Sequence, residues 1–447
     1  MPAAALPIFI LTISLALARP KLGRLKIDHA IAAMIGASLT LLVGAVPLES
    51  LYEALAILAQ PVVAIVSLMV LTLVAEQAGL FELLAFHIAR AARGDGRRLF
   101  AYIFFAGTTV GTVFTNDAAV LIFTPLVYRI IERVQEESWG ESNKVPYYFA
   151  VLYVANLVGA LVISNPINII VSSFFEIDFL EYARWMIFPA AASMLATYYG
   201  LRIYFGAAIP GSYNASIAGG DASPGRCRFR ALSAVVLCLA LVGFFTEPLL
   251  GVPTWLVAFV SAVALLILAR LLERKDPVRI LGGVGWDVIV FVVGIFIVVT
   301  GLKRAGLTDE IQSLISYLSG TSVFKSTMAT SFVASVCSAF MNNHPTAYAL
   351  ALAIEDMPLD PDLADPEKWL VKKMLVFAAL IGGDLGPKML PIGSLAALLW
   401  FRILRSNGVH VPYSLYIKIG VPVTLAAVLL SVLALNLEII VARFFAS

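Results

Sequence analysis

The sequence predicts an all-α polytopic membrane protein made of two inverted-topology repeats, each with five spanning helices, a re-entrant helical hairpin and a broken helix. Three observations predict this fold class. The 447 residues are 60% hydrophobic and 13% charged, whereas an ordinary soluble chain carries about 25% charged residues. Apolar runs suited to a bilayer recur from one end of the chain to the other. Several motifs of the first half also return in the second half at nearly the same spacing.

Runs nearly free of charge supply the candidate spanning helices. A helix needs roughly 20 mainly apolar residues to cross the hydrocarbon core of a bilayer. Such runs lie at residues 31–46, 61–74, 147–163, 231–245, 255–269 and 288–300. Together with further apolar segments they predict about ten spans plus two hairpins, and no soluble domain.

Basic residues concentrate in every second connection between the predicted spans. The basic connections are residues 19–26, 90–98, 226–230 and 270–279, and the intervening connections are neutral or acidic. The positive-inside rule places the basic connections in the cytoplasm. We therefore expect both chain termini on the outer, periplasmic face.

Short motifs recur in order across a linker rich in Gly and Ser. Ala78-Gly79-Leu80 returns as Ala305-Gly306-Leu307, Asn116 returns as Asn342, and Pro166-Ile167 returns as Pro391-Ile392. Because each half has an odd number of predicted crossings, the second half is expected to insert upside down relative to the first. The predicted divisions are a first repeat at 1–209, a cytoplasmic linker at 210–228 and a second repeat at 229–447.

Two long apolar segments carry polar residues at their centres. Residues 99–131 contain the motif at 115–117, and residues 323–354 contain the motif at 342–346. One helix of that length would run about 50 Å, but the hydrocarbon core is only about 30 Å thick. Each segment therefore predicts a re-entrant hairpin with a polar tip at membrane depth. The first is expected to enter from the cytoplasm and the second from outside.

Each hairpin is followed by a predicted span that proline and glycine interrupt. The interruptions lie at residues 164–168 in the first half and at residues 382–388 and 391–394 in the second half. Proline removes a backbone donor and disrupts the helix. Non-helical backbone at membrane depth is stable only when it is buried in protein or lines a wet cavity. The two tips and two breaks are therefore expected to meet around one small polar cavity.

Four ionisable residues are candidates for coupling transport to an ion gradient. Asp117 lies at a hairpin tip, where an aspartate costs about 2.5–3.5 kcal/mol to insert and is a functional hypothesis by default. Structural pairing, with Lys388 for example, is the alternative for Asp117. Asp384 and Lys388 are either a structural ion pair or part of the coupling. Glu76 lies near the cytoplasmic end of its span and is a candidate for an entrance.

Five segments of the sequence resemble the arsenical pump membrane proteins, the ArsB-type efflux carriers of the ion transporter superfamily. They are residues 76–82 (EQAGLFE), 115–127 (TNDAAVLIFTPLV), 164–170 (SNPINII), 342–347 (NNHPTA) and 386–400 (GPKMLPIGSLAALLW). The match runs in order along nearly the whole chain, and the last segment is the most specific. His344 departs from the pattern, because a hydrophobic residue is expected there.

The resemblance implies a secondary active transporter of a bacterial or archaeal plasma membrane that exports arsenite and antimonite from the cytoplasm in exchange for protons. The resemblance also implies that a cytoplasmic arsenite-stimulated ATPase is a possible partner. The lipid bilayer is the other expected partner, and no nucleic acid is expected. We expect alternating access, and a substrate in the form of the neutral trihydroxide, whose hydroxyls both donate and accept.

Residues at the tips and breaks are the expected site. The expected substrate-binding residues are Thr115, Asn116, Asp117, Asn165, Asn168, Asn342, Asn343, Thr346, Gly393 and Ser394. The expected proton-coupling residues are Asp117, Asp384, Lys388 and Glu76.

The sequence gives weaker support to other function classes. A sodium/proton antiporter, or another ion or organic-anion carrier of the same superfamily, stays open because a tip aspartate and carbonyl oxygens also suit Na⁺. An enzyme is disfavoured by the lack of HExxH and GxSxG motifs. Without a GxxxxGK[ST] loop the chain is not itself an ATPase. The three cysteines have no CxxC spacing, so neither a metal nor a cofactor is predicted.

Overall fold

A computed structural model describes residues 4–22, 25–134, 139–213, 227–319, 322–358 and 365–446, and nearly all of this chain is helical. The first half contains α1 (Ala5–Ala18), the antiparallel ribbon β1 (Lys21–Leu22) and β2 (Leu25–Lys26), α2 (His29–Leu42), α3 (Leu48–Gln77), α4 (Leu80–Ala91), α5 (Gly96–Val113), α6 (Asn116–Val134), α7 (Glu141–Val154), α8 (Pro166–Phe174) and α9 (Phe179–Phe205). The second half contains α10 (Cys227–Phe245), α11 (Glu247–Leu250), α12 (Thr254–Glu273), α13 (Pro277–Leu281), α14 (Trp286–Arg304), α15 (Leu307–Ser319), α16 (Val323–Met341), α17 (Asn343–Glu355), α18 (Asp365–Leu385), α19 (Leu395–Ser406) and α20 (Tyr413–Ala446).

Apolar surface and helix length confirm the prediction of an all-α, multi-pass membrane protein. Within the described ranges, six helices are long and apolar enough to cross a bilayer, namely α3, α10, α12, α14, α16 and α20. Large apolar side chains point outward from the bundle, as at Ile203, which is 83% exposed, and Leu239, which is 64% exposed. Such a surface is stable against lipid but not against water. The layout of ten spans stays a prediction.

The two halves contain the same order of long elements and pack in matching pairs. α2 packs on α14 and α3 packs on α12; α8 contacts α17 and α6 contacts α19; and α9 lies along α20. Exchanging the two halves converts each contact into its counterpart, as a two-fold relation between repeats requires. The inverted insertion of the halves and the limits 1–209 and 229–447 stay predictions. Within the predicted linker at 210–228, residues 214–226 lie outside the described chain, and α10 begins at Cys227.

Both predicted hairpins are pairs of contacting helices separated by a short break. α5 ends at Val113 and α6 begins at Asn116. In the second half, Asn342 separates α16 from α17 with a φ of 77°, a left-handed conformation that few residues other than glycine adopt. Its side-chain oxygen accepts a hydrogen bond from the backbone N–H of His344 at 3.3 Å. This cap turns the chain and starts the second helix of the pair.

Both broken spans contain an extended residue followed by a newly capped helix. In the first half, Asn165 is extended, its Oδ1 accepts from the N–H of Ile167, and Pro166 begins α8. In the second half, Ser394 is extended and its Oγ accepts from the N–H of Ala397 at the start of α19. Proline suits the first helical turn because the missing donor would be unpaired there. Each break therefore contains the N-terminus of a new helix.

The second break begins later than the sequence predicts. Residues 382–384 belong to α18, which continues to Leu385, and the irregular turns lie at Gly386–Lys388 and Pro391–Gly393. A Cβ atom on Gly382 would lie 2.1 Å from the carbonyl oxygen of Ser331 in α16. The glycine here permits close contact between two helices and does not interrupt one of them.

Candidate functional site

The tips of both helix pairs and both broken spans line one cavity, which we call the central cavity. Its empty volume is about 310 Å³, including open space at its mouth. The lining residues are Asn116, Ala155, Asn156, Asn165, Asn342, Asn343, His344, Pro387, Gly393, Ser394 and Leu395. None of these is an acid, a lysine or an arginine, so the part of the wall that the structure describes is polar through amides, a hydroxyl and an imidazole. The cavity therefore suits an uncharged polar solute.

His344 lines this cavity and has an unused acceptor. Its ring is 4% exposed, and Nδ1 donates to Oδ1 of Asn343 at 2.8 Å. Because an amide oxygen only accepts hydrogen bonds, Nδ1 carries the proton, and Nε2 of the neutral ring is an acceptor. Nε2 is buried without a hydrogen-bond partner among the described residues.

Asn116 also lines the cavity and has an unused donor. Its residue is 6% exposed, and the amide nitrogen Nδ2 has no hydrogen-bond partner within the described chain. A buried polar group without a partner costs about 1–3 kcal/mol. A ligand that both donates and accepts would pair with Asn116 and His344 and remove this cost. Across the cavity, Nδ2 of Asn156 donates to Oγ of Ser394 at 2.9 Å and joins the two broken spans.

Asp384 lies behind the cavity wall and is 1% exposed. Its Oδ1 accepts from Nδ2 of Asn165 at 2.7 Å. Its Oδ2 accepts from Nδ2 of Asn168 at 3.2 Å and from the N–H of Gly159 at 3.3 Å. Three donors stabilise an ionised carboxylate. Since Asn165 lines the cavity and contacts Asp384, it is the direct link between the cavity and the buried acid.

Lys388 is the buried cation nearest to this acid in sequence and is 2% exposed. Its Nζ has no hydrogen-bond partner in the described part of the chain, and it lies 5.3 Å from the ring centroid of Tyr153, within the range of a cation–π contact. A direct Asp384–Lys388 ion pair, one of the two alternatives for these residues, is not formed, and Asp384 instead accepts from two side-chain amides and a backbone N–H. A charge so poorly paired at this depth is costly.

The structure brings six of the predicted substrate-binding residues to the cavity. They are Asn116, Asn165, Asn342, Asn343, Gly393 and Ser394. Of the others, Asn168 is fully buried behind the wall, and Thr346 closes the second tip by donating to the carbonyl of Asn342 at 2.8 Å. Thr115 is buried directly before α6. The roles of all these residues stay predictions.

Glu76 and Asp117 are the other two predicted coupling residues. Glu76 is exposed near the end of α3 and is not among the lining residues. Asp117 is the second residue of α6, and its side chain lies outside what the structure describes. Its predicted role therefore stays a prediction.

Sequence reasoning did not assign five lining residues to the site, namely Ala155, Asn156, His344, Pro387 and Leu395. His344 was noted only as a departure from the family pattern within the second tip. For Asn156 a signal existed, because it is an amide within an apolar run and lies close before the first break. Pro387 and Leu395 flank the second break, and only the packing shows that they face the cavity.

An uncharged polar cavity at the junction of four helix breaks, within a bundle of apolar helices, defines a multi-pass membrane transporter. The family model described as arsenical pump membrane protein matches residues 4–439. The chain belongs to that family, as the motifs of its sequence predict.

Relatives agree with this assignment, and one solved structure shares the fold. An arsenical pump membrane protein of Escherichia coli is 32% identical over 435 residues, which cover 97% of this chain and 98% of the relative. A putative arsenical pump membrane protein of Bacillus subtilis is 24% identical and covers 92% of this chain and 93% of the relative. The YdaH transporter of Alcanivorax borkumensis, reported to have an unusual topology, has a TM-score of 0.55 at 14% identity and covers 97% of this chain and 96% of its own. At that identity the likeness concerns the fold alone.

Proposed function

We propose that this chain exports arsenite, and antimonite, from the cytoplasm in exchange for protons, as a secondary active transporter with alternating access. The unpaired donor of Asn116 and the unpaired acceptor of His344, in one uncharged cavity, carry the proposal. Membership of the arsenical pump family supports the substrate class. The proposed sidedness, with both termini outside, follows from the basic connections.

The substrate is proposed to be the neutral trihydroxide of trivalent arsenic. Each of its hydroxyls can donate one hydrogen bond and accept two. One hydroxyl can donate to Nε2 of His344, and another can accept from Nδ2 of Asn116. The cavity offers no charged side chain on its described wall, so a neutral solute loses less solvation on entering it than an anion would.

The proposed coupling runs through Asn165. An ionised Asp384 only accepts, so Asn165 turns its Nδ2 towards the carboxylate, as observed. A protonated Asp384 can donate, and Asn165 would then turn its Oδ1 towards the acid and present its Nδ2 to the cavity. The hydrogen-bonding pattern offered to the substrate therefore depends on whether Asp384 holds a proton. This dependence makes proton binding and substrate binding alternatives, as exchange requires.

The driving force follows from the charge that crosses. If one proton enters as one neutral solute leaves, one positive charge crosses the membrane, and the potential contributes about 2.3 kcal/mol per 100 mV. That energy supports a gradient of roughly forty-fold, at about 1.4 kcal/mol for each factor of ten. Alternating access is proposed to come from movement of the helix pairs against the rest of the bundle.

Arsenite uptake into everted membrane vesicles tests the proposal. We expect uptake when a proton gradient is imposed, loss of uptake with a protonophore, and no effect of replacing Na⁺ with K⁺. Uptake that follows a sodium gradient would favour the sodium antiporter instead. Uptake that stops on ATP depletion while the proton gradient persists would favour a subunit driven by a partner ATPase.

A matched pair of histidine variants tests the cavity itself. His344→Ala removes the unpaired acceptor and should raise the arsenite concentration needed for half-maximal uptake roughly tenfold, as expected for about one lost hydrogen bond. His410→Ala is the control, because His410 is exposed and is not among the residues that line the cavity. Equal uptake by the two variants would contradict the proposed binding mode.

A further inference from the structure

A second cavity lies beside α8, on the face of the bundle that contains the turns before α9 and before α12. Its empty volume is about 500 Å³, including space open to the surroundings. Polar groups that line it include Gln60, Ser172, Ser173, Glu247 and Thr254. The charge distribution of the connections assigns this face to the outside of the membrane. We call it the outer cavity.

Glu247 carries an acidic group at the outer cavity. Its carboxylate accepts from the N–H of Phe179 at 3.0 Å, and from the N–H and the hydroxyl of Thr254 at 2.9 and 2.7 Å. These bonds fix the carboxylate between the turns that precede α9 and α12. A fixed negative charge at an opening attracts cations, hydronium included.

One face of α8 connects the outer cavity with the central cavity. Asn165 lines the central cavity and Ser172 lines the outer one. Asn168 lies between them, and its Nδ2 donates to Asp384. Positions three and four residues apart share a helix face. The three side chains therefore form a polar stripe in a helix whose other residues are mostly apolar, and Asp384 is bonded to its inner two members.

Two polar atoms of this stripe lack hydrogen-bond partners within the described chain. Ser172 is 1% exposed and Asn168 is 0% exposed, and neither Oγ of Ser172 nor Oδ1 of Asn168 has a hydrogen-bond partner among the described residues. A serine in a membrane helix commonly bonds to the carbonyl four residues earlier. Ser67 does so in α3, at 2.7 Å from the carbonyl of Val63, but Ser172 does not. Ser172, which lines the outer cavity, therefore has a hydroxyl whose hydrogen-bonding capacity is unused within the described chain.

We propose that the outer cavity is the aqueous entrance through which protons reach Asp384, and that Ser172 positions the last water. This inference rests on the proposed proton exchange. A hydronium ion at this position would transfer its proton to the carboxylate of Asp384, leaving a neutral carboxylic acid and a water molecule. The titratable groups that act on Asp384 are Lys388 on its own segment and Tyr182 on α9. Glu247 lines the cavity through which the proton arrives.

Thiol labelling tests whether the outer cavity holds water. In a chain in which Cys227, Cys238 and Cys337 are replaced by serine, a cysteine substituted at Ser172 should react with a small, charged, membrane-impermeant methanethiosulfonate added from outside. Ser173→Cys is the positive control, because Ser173 lines the same cavity and is exposed. Reaction of Ser172→Cys with a membrane-permeant reagent alone would overturn the proposal, because the cavity would then be dry or filled with lipid.

Proton uptake driven by an arsenite gradient tests the role of Ser172. We expect Ser172→Ala to slow this uptake about tenfold and to shift its dependence on external pH, and Ser172→Thr, which keeps the hydroxyl, to restore both. Ser67→Ala removes a buried hydroxyl that is bonded within its own helix and should leave both unchanged. A normal wild-type exchange with an unaffected Ser172→Ala variant overturns this inference alone. A wild-type chain that moves arsenite without protons overturns the proposed function and this inference together.

Discussion

Asn165 donates a hydrogen bond of 2.7 Å from its amide nitrogen to the carboxylate of Asp384. The donor lies at the break of the first half and the acceptor in the last turn of α18 in the second half. The bond therefore joins the halves at the wall of the central cavity. In the proposed coupling, a change in the charge of Asp384 alters the orientation of this cavity-lining amide, and the first prediction tests that relation.

Asp384→Asn should abolish proton coupling. The amide keeps the size of the carboxylate but cannot gain or lose a proton, and it accepts through one oxygen where the ionised acid accepts through two. We expect proton uptake driven by arsenite to fall at least about a hundredfold, the lower range for a positioned acid–base group, while arsenite binding persists. The measurement is fluorescence of a pH-sensitive dye in vesicles. Undiminished proton uptake would remove Asp384 from the mechanism.

Asp117→Asn tests Asp117, the other acidic candidate for the coupling group, separately from Asp384. Asp117 lies in the first turn of α6, where the helix N-terminus favours negative charge. If Asp117 binds the substrate or the proton, proton-driven arsenite uptake in everted vesicles should fall in the variant. Undiminished uptake would exclude Asp117 as the coupling group and leave Asp384 as the remaining acid of the tips and breaks.

Gly393→Ala should destabilise the second break, whereas Gly383→Ala should not. A Cβ atom on Gly393 would lie 2.4 Å from the carbonyl oxygen of Ala339, but a Cβ atom on Gly383 would meet nothing closer than 4.0 Å. We expect Gly393→Ala to lower the free energy of unfolding by about 1–3 kcal/mol through overpacking. Gly383→Ala, within α18, should be neutral or stabilising by up to about 1 kcal/mol. Thermal unfolding in detergent measures both, and equal melting temperatures would contradict this packing.

Lys388→Met should reduce transport without lowering the stability of the protein. The ammonium group of Lys388 is buried with no hydrogen-bond partner in the described chain, and methionine keeps most of its apolar volume without the charge. We expect the melting temperature to be unchanged or raised, and proton-driven arsenite transport to fall about tenfold or more, in line with the loss of a charged interaction. A variant that melts lower and still transports normally would show that the lysine is structural.

The architecture of the site was largely predictable from sequence. The excess of apolar residues, the polar tips at 115–117 and 342–346, and the prolines at 166 and 391 predicted helix pairs and breaks that meet at one cavity, and these are local properties of the chain. The extent of the second break was not predictable, because glycine has the same low helix propensity in an interrupted helix and in a closely packed one. Gly382 permits the close packing of α18 against α16.

The sequence by itself determined the membrane character of this protein, its helical content and its family, because these depend on composition, hydrophobic period and ordered motifs. Only the tertiary structure decided which partner each buried polar atom has. Asp384 is four residues from Lys388 in sequence, yet it bonds to Asn165 and Asn168 from the other half. Such contacts join residues that are far apart in sequence, and the energy of a buried charge depends on its spatial neighbours, which no local pattern specifies.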